Sequence, residues 1–148
     1  MLSDFLQEKY VQIGKEVHTF EEAIKKSMQP LLEDNAITEN YVEKVINIYN
    51  ETGPYIVITK HIALPHAPSE DGAKKLALGF MKLDVPIISG NTANDPVKFF
   101  FPLSAPDNKS HLEILSKLAE LLGDEEFIKF LESVDSPENF IQYIKTKG

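Results

Sequence analysis

Cysteine is absent from this chain of 148 residues, and arginine is absent too. Without cysteine there is no disulfide framework, no thiolate nucleophile and no thiolate metal site, an absence that fits the cytoplasm. Without arginine there is no guanidinium fork to clamp a phosphate. Positive charge is scarce in general: 15 basic residues against 23 acidic ones leave a formal charge of −8. That balance argues against gripping nucleic acid, which needs a basic footprint, and disfavours anionic lipid. No apolar run approaches the roughly 18 residues of a spanning helix. The start, Met-Leu-Ser-Asp-Phe-Leu-Gln-Glu-Lys, shows no basic segment followed by an apolar one, so no secretory signal is expected. What remains, 43% hydrophobic and 26% charged, is ordinary globular composition. A single cytoplasmic domain over residues 1–148 is expected, large enough to bury roughly 70% of its unfolded surface.

What is present centres on Tyr55-Ile-Val-Ile-Thr-Lys-His-Ile-Ala-Leu-Pro-His-Ala67. Its first four residues are apolar and largely β-branched, and predict a buried strand. Two of the chain's four histidines follow, His61 and His66. Proline fixes φ at position 65, which narrows the conformations that can deliver His66.

The rest of the chain reads as a mixture of helices and strands. Residues 2–6 suit a short helix, and Tyr10–Ile13 a half-buried strand. Thr19-Phe-Glu-Glu22 is a capping box opening a helix that buries Phe20, Ala23, Ile24, Met28 and Leu31, and Pro30 should kink or end it. Thr38 starts a second helix with Tyr41, Val42, Val45, Ile48 and Tyr49 along one face, and Gly53 stops it. A turn-rich Ala67–Gly72 leads to a strand around Leu76–Leu83 whose alternation slips near Met81. Pro86–Pro96 is expected to be loop, and Val97–Leu103 a strand buried on both faces, with Pro102 at its end or on an edge. Ser110 or Asn108 should cap a helix burying Leu112, Leu115, Leu118, Ala119 and Leu122, with Gly123 as its stop. Two helices complete the chain, at Asp124–Val134 and Pro137–Lys145, the last with Ser136 as N-cap and Pro137 at N1. Elements mixed in this way give an α+β class, with helices packed on a mixed sheet.

The chemistry lies with the histidines. His66, at a strand exit behind a rigid proline, is placed as a loop residue of catalytic type, although a histidine beside proline is equally able to be a satisfied core residue. A neutral imidazole whose other nitrogen is held by an acceptor can attack a phosphoryl group. His111 falls in the first turn of a helix. There the dipole and free N–H groups attract an anion and disfavour protonation, so a neutral His111 can donate to a phosphoryl oxygen. Its plainer reading is a hydrogen-bonding residue at a helix start. Nucleophile and anion stabiliser together suffice for phosphoryl transfer without metal or cofactor. His61, five positions before His66, would lie on the opposite face of a continuous strand and take no part. Lys60 and His18 read as solvated surface residues.

Ile62-Ala-Leu-Pro-His-Ala67, preceded by Gly53-Pro-Tyr-Ile-Val-Ile58, resembles the phosphorylation-site signature of the mannitol/fructose-type IIA domains of the bacterial phosphotransferase system. The lead-in is most similar to the ascorbate branch. Asp107-x3-His111-Leu112-x2-Leu115-x2-Leu118 is similar to the family's second histidine heading a leucine-rich helix. The resemblance implies a three-layer α/β/α sandwich around a small mixed sheet. It implies that His66 accepts phosphate from phospho-HPr and passes it to a cysteine of a IIB component, and through it serves a permease IIC. His111 would assist the phosphoryl group, and an ascorbate-like sugar or a pentitol is the implied cargo. The chain departs from the family pattern in three places. His61 stands where many members have glycine, Asn50 where the mannitol branch has arginine, and Pro68 follows His66-Ala67 where the ascorbate branch has arginine.

Three other readings are compatible with the residues. His61, His66 and His111 could form an open zinc site. The phosphohistidine could instead be a signal to a partner protein, with no sugar involved. Both histidines could also be structural, in which case the domain would take no phosphate.

Overall fold

The computed structural model describes residues 2–147. Strands β1 (Val11–Lys15), β2 (Val57–Thr59), β3 (Ile62–Ala63), β5 (Phe80–Ile87) and β6 (Val97–Phe100) form one mixed sheet in the order β1-β5-β6-β3-β2. The pairs β1–β5 and β3–β6 are parallel, and β5–β6 and β2–β3 antiparallel. Two short strands, β4 (Ala77–Leu78) and β7 (Leu103–Ser104), pair separately.

Helices cover both faces. Helices α1 (Phe20–Glu33) and α2 (Glu39–Thr52) pack on Ala63, Met81, Leu83, Val97 and Phe100. On the other face α3 (Asn108–Leu122), α4 (Glu125–Ser133) and α5 (Pro137–Lys147) pack on Ile62, Phe80, Phe99 and Phe101. Phe99, Phe100 and Phe101 thus alternate between two cores, as side chains on a pleated strand must. Phe80 is stacked on Phe140 of α5 at 4.2 Å between ring centres, with Phe101 at 5.0 Å. This is the three-layer α/β/α arrangement, α+β in its mixed sheet.

The expected helix starts at Thr19, Thr38 and Ser136 are all present, each side chain accepting from an N–H in the first turn. Glu22 completes its box differently, accepting at 3.4 Å from the N–H of His18 rather than from Thr19. Gly53, at φ 95°, ends α2.

Several expectations are corrected. Pro30 does not end α1, which runs on to Glu33. The proline leaves the Lys26 carbonyl without its helical donor, and the side chain of Gln12 on β1 donates to it at 2.8 Å. Pro86 lies inside β5, not in a loop: an exposed residue late in the strand, where the β5–β6 register shifts. The Leu76–Leu83 segment is two strands broken at Gly79, whose N–H donates to the Pro102 carbonyl. Val97–Leu103 likewise stops at Phe100 and resumes as β7. Along α3 the buried pair is Ile114 and Leu118, while Ala119 is exposed and Leu112 is 67% exposed. The cap of α3 is Asp107, one residue ahead of Asn108.

The largest correction falls on the stretch Tyr55–Ala67. It is not one strand but a tight hairpin, β2 and β3 joined through Lys60 and His61, with His61 at φ 69°. Only Val57 of β2 is buried, and Ile58 is 47% exposed because β2 is the edge of the sheet.

Candidate functional site

The parallel register of β3 and β6 sets Ile62 opposite Phe99 and Ala63 opposite Phe100, so both strands end at the same side of the sheet. In open α/β sheets, crevices outside the carboxyl ends of strands are where ligands bind. Leu64, Pro65 and His66 follow β3, and Phe101 and Pro102 lead from β6 through β7 to α3. Backbone bonds tie the two exits together: Phe101 N–H donates to the Ala63 carbonyl at 2.8 Å, and Leu103 N–H to the Pro65 carbonyl at 3.0 Å. The result brings His66 and His111 together, ring centres 5.4 Å apart, in a cleft of about 370 Å³. Tyr55, Ala67, Pro68, Ser69 and Asn108 contribute to its walls, with Ile48 of α2.

The His66 ring has one nitrogen engaged. Nδ1 lies 2.6 Å from the carbonyl oxygen of Leu64. A carbonyl can only accept, so in the neutral ring the proton is on Nδ1 and the lone pair on Nε2. Nε2 has no hydrogen-bond partner among the described residues. Burial pushes the His66 pKa below the ordinary imidazole value, and the neighbouring His111 pushes it the same way; the Leu64 carbonyl opposes both. A neutral imidazole with a free Nε2, on a residue that lines a cleft, is a nucleophile or a proton acceptor.

Two tyrosines frame this residue. The Tyr55 ring meets His66 edge-on at 5.9 Å, and its hydroxyl donates to the His66 carbonyl at 2.5 Å. Tyr41, buried on α2, accepts from Ala67 N–H at 3.1 Å and donates to the Leu103 carbonyl at 2.9 Å. Burial raises both hydroxyl pKa values, that of Tyr41 to about 12, so both stay protonated.

His111 is the fourth residue of α3, and its N–H donates to the Asp107 carbonyl at 3.1 Å. The Asp107 carboxylate accepts from Ser110 N–H at 2.8 Å and from the Ser110 hydroxyl at 3.1 Å. Those bonds hold its pKa below the usual carboxylate range. The first turn of α3 is therefore capped, and of the first-turn N–H groups expected to be free for an anion, that of Ser110 is taken by the cap. The side chains that remain to donate into the cleft are His111, Ser69 and Asn108.

His61 does not join them. It sits exposed at the hairpin tip, its Nδ1 2.7 Å from the Pro96 carbonyl and its N–H on the Asn94 carbonyl. Because the turn intervenes, it is separated from His66 by the length of β3 and not by opposite strand faces. The three-histidine metal centre is overturned, and among the described residues no cluster of three or more histidine, aspartate or glutamate side chains is placed to hold a metal ion. Lys60 and His18 are exposed, as expected. Sequence reading missed Ser69, Asn108 and the hydroxyls of Tyr41 and Tyr55. A signal existed for Tyr41 alone: a tyrosine on the buried stripe of a helix must find a partner for its hydroxyl.

The profile of the family described as "Phosphoenolpyruvate-dependent sugar phosphotransferase system, EIIA 2" matches residues 4–147. The mannitol-specific cryptic phosphotransferase enzyme IIA component of Escherichia coli (strain K12) is 33% identical over 144 residues, 97% of each chain. The ascorbate-specific PTS system EIIA component of the same strain is 28% identical over 145 residues, 97% of this chain and 94% of that one. The solution structure of the cryptic mannitol-specific enzyme IIA from Escherichia coli superposes with a TM-score of 0.90 at 31% identity, covering 99% of both chains. With its mixed sheet, its helical layers and its paired histidines, this chain belongs to the EIIA 2 family of the phosphoenolpyruvate-dependent sugar phosphotransferase system.

Proposed function

We propose that His66 is the phosphoryl carrier of this phosphotransfer component, and that His111 steadies the group it carries. The observation that carries the reading is the Nδ1–Leu64 contact, which leaves the Nε2 lone pair as the one free nucleophile of the ring. Nε2 attacks the phosphorus of phospho-HPr as the P–N bond to the donor imidazole breaks, and that imidazole keeps the electron pair. In the second step a IIB thiolate attacks the same phosphorus, and the pair returns to Nε2. The phosphoryl group so delivered energises sugar uptake through the associated permease.

His111, 5.4 Å away between ring centres, stands where one of its ring nitrogens can donate to a phosphoryl oxygen. No guanidinium is available anywhere in the chain. Ser69 and Asn108 are the uncharged groups that would complete the oxygen shell. Transfer of this kind needs in-line positioning and charge stabilisation more than covalent help, and a cleft whose loops are tethered by main-chain hydrogen bonds supports the first.

The test is incubation with phosphoenolpyruvate, enzyme I and HPr, followed by assay for an acid-labile, alkali-stable phosphate. The wild-type chain is expected to take one such label and His66→Ala none; label persisting in that variant would sink the assignment. His111→Ala is expected to be labelled roughly 10²-fold more slowly, the loss typical of one anion-stabilising donor. An unchanged rate would leave His111 with a packing role only.

A further inference from the structure

The peptide joining His66 to Ala67 is gripped at both of its polar ends by tyrosine hydroxyls. Tyr55 donates to the carbonyl at 2.5 Å, and Tyr41 accepts from the N–H at 3.1 Å. Carbonyl and N–H belong to one planar unit, so holding both fixes the orientation of the plane and with it ψ of His66. On the other side of the residue, the Pro65 carbonyl accepts from Leu103 N–H at 3.0 Å. Both peptides that flank the His66 Cα are thereby held, and the direction in which the imidazole leaves the backbone is set.

The anchors are also linked to each other. Tyr41 donates to the carbonyl of Leu103, the residue whose N–H holds Pro65. Leu103 begins β7, from which the chain passes to α3 and His111. The His66 loop and the segment leading to His111 are thus tied to one hydroxyl on a third element, α2. The Tyr55 ring adds a wall, meeting the imidazole at 62°.

We propose that Tyr41 and Tyr55 are positioning residues for the reaction of His66, fixing the 66–67 peptide so that Nδ1 meets Leu64 and Nε2 is left free on a ring beside that of His111. The inference rests on His66 being the phosphoryl carrier. Neither hydroxyl acts on the reacting atoms: both are spent on main-chain groups. Their effect passes through the backbone of His66 to the choice of tautomer and the line of attack. Small losses of alignment weigh heavily in such a step, since a displacement of about 1 Å can cost on the order of 10²-fold in rate.

The experiment compares wild type with Tyr55→Phe, which keeps the ring and removes the hydroxyl, and with Tyr41→Phe. Imidazole ¹⁵N shifts of His66 in the unphosphorylated protein report the tautomer, and phosphoryl transfer from phospho-HPr gives kcat and KM. Wild type is expected to show the Nδ1–H form alone. Tyr55→Phe is expected to show a mixture of tautomers, with kcat lowered roughly tenfold and KM within about twofold. A single Nδ1–H tautomer with unchanged kcat in Tyr55→Phe overturns the proposal. So does a loss confined to KM, which would make the hydroxyl a docking group, or a lowered melting temperature with the tautomer unmoved. Tyr55 is 36% exposed, so its variant tests the proposal even where Tyr41→Phe fails to fold. The ¹⁵N arm needs no phosphate, so a chain in which His66→Ala keeps its label fails the carrier assignment without altering the tautomer result.

Discussion

His66 and His61 differ in what surrounds each ring. Both have Nδ1 on a main-chain carbonyl, at 2.6 and 2.7 Å. Only His66 is recessed in a cleft beside a second imidazole, and burial, against the opposing Leu64 carbonyl and with a smaller push from His111, moves its pKa downward. A lowered histidine pKa means that the folded chain resists a proton that the unfolded chain accepts. Stability from this source is complete above the unfolded value of 6.5 and declines as pH falls through 6.5 toward the folded pKa. Urea titrations between pH 8 and 5 are expected to show that decline in wild type and a shallower one in His66→Asn. With His66 as the carrier, activity should extend below neutral pH in the same direction, because its imidazole stays unprotonated. The acid limb of the rate of labelling from phospho-HPr is expected to have its midpoint below 6.5. A midpoint above that value would mean that some other group limits the rate.

Among the elements, helices were legible and short strands were not. Capping residues announce helix starts chemically, and Thr19, Thr38 and Ser136 each act where the sequence places them. The cap of α3 lies one to three residues before the Asn108 or Ser110 that the sequence suggests, because Asp107, Asn108 and Ser110 are all competent caps and the choice among them depends on where the backbone leaves β7. The hairpin at Lys60–His61 could not be read from pattern: a two-residue turn normally shows itself by glycine or asparagine, and here a lysine and a histidine at positive φ occupy it. Its cost is met by tertiary bonds, from His61 N–H to Asn94 and from Lys98 and Phe99 N–H to the His61 carbonyl. Gly72 is a similar case. At φ 130°, it stands so close to Thr38 that an added Cβ would lie 2.0 Å from the capping hydroxyl. Gly72→Ala is therefore expected to displace the cap of α2 and to lower unfolding free energy by more than about 1 kcal/mol, measured in urea. An alanine variant as stable as wild type would show that the cap is free to move.

Across the whole molecule the sheet divides two apolar cores, and the histidine pair sits where its parallel strands end. Phe80 carries much of the face that supports α5, fully buried and stacked on Phe140. Phe80→Ala is expected to lower stability by about 3–5 kcal/mol, read by chemical denaturation. A loss under about 1 kcal/mol would mean that the helical layer collapses into the void. Burial on both faces of the sheet is legible in the apolar run Val97–Leu103, but the pairing of β3 with β6 is not. That pairing joins residues 37 positions apart, Ile62 with Phe99 and Ala63 with Phe100, and nothing local to either records the other. Hence the candidate histidines could be named from sequence, while the tyrosines that frame them required the assembled chain.

The partner of Nδ1 is a neutral carbonyl, and this bears on bond strength. A carboxylate in that place would raise the basicity of the ring and make it hold an electrophile firmly. Leu64 selects a tautomer with far less such reinforcement, and the recessed setting outweighs it and weakens the base. An imidazole that binds a proton weakly is also a good leaving group. With His66 as the carrier, the phosphoramidate formed at Nε2 would lie high in group-transfer potential, poised to release its cargo to a thiolate rather than to store it.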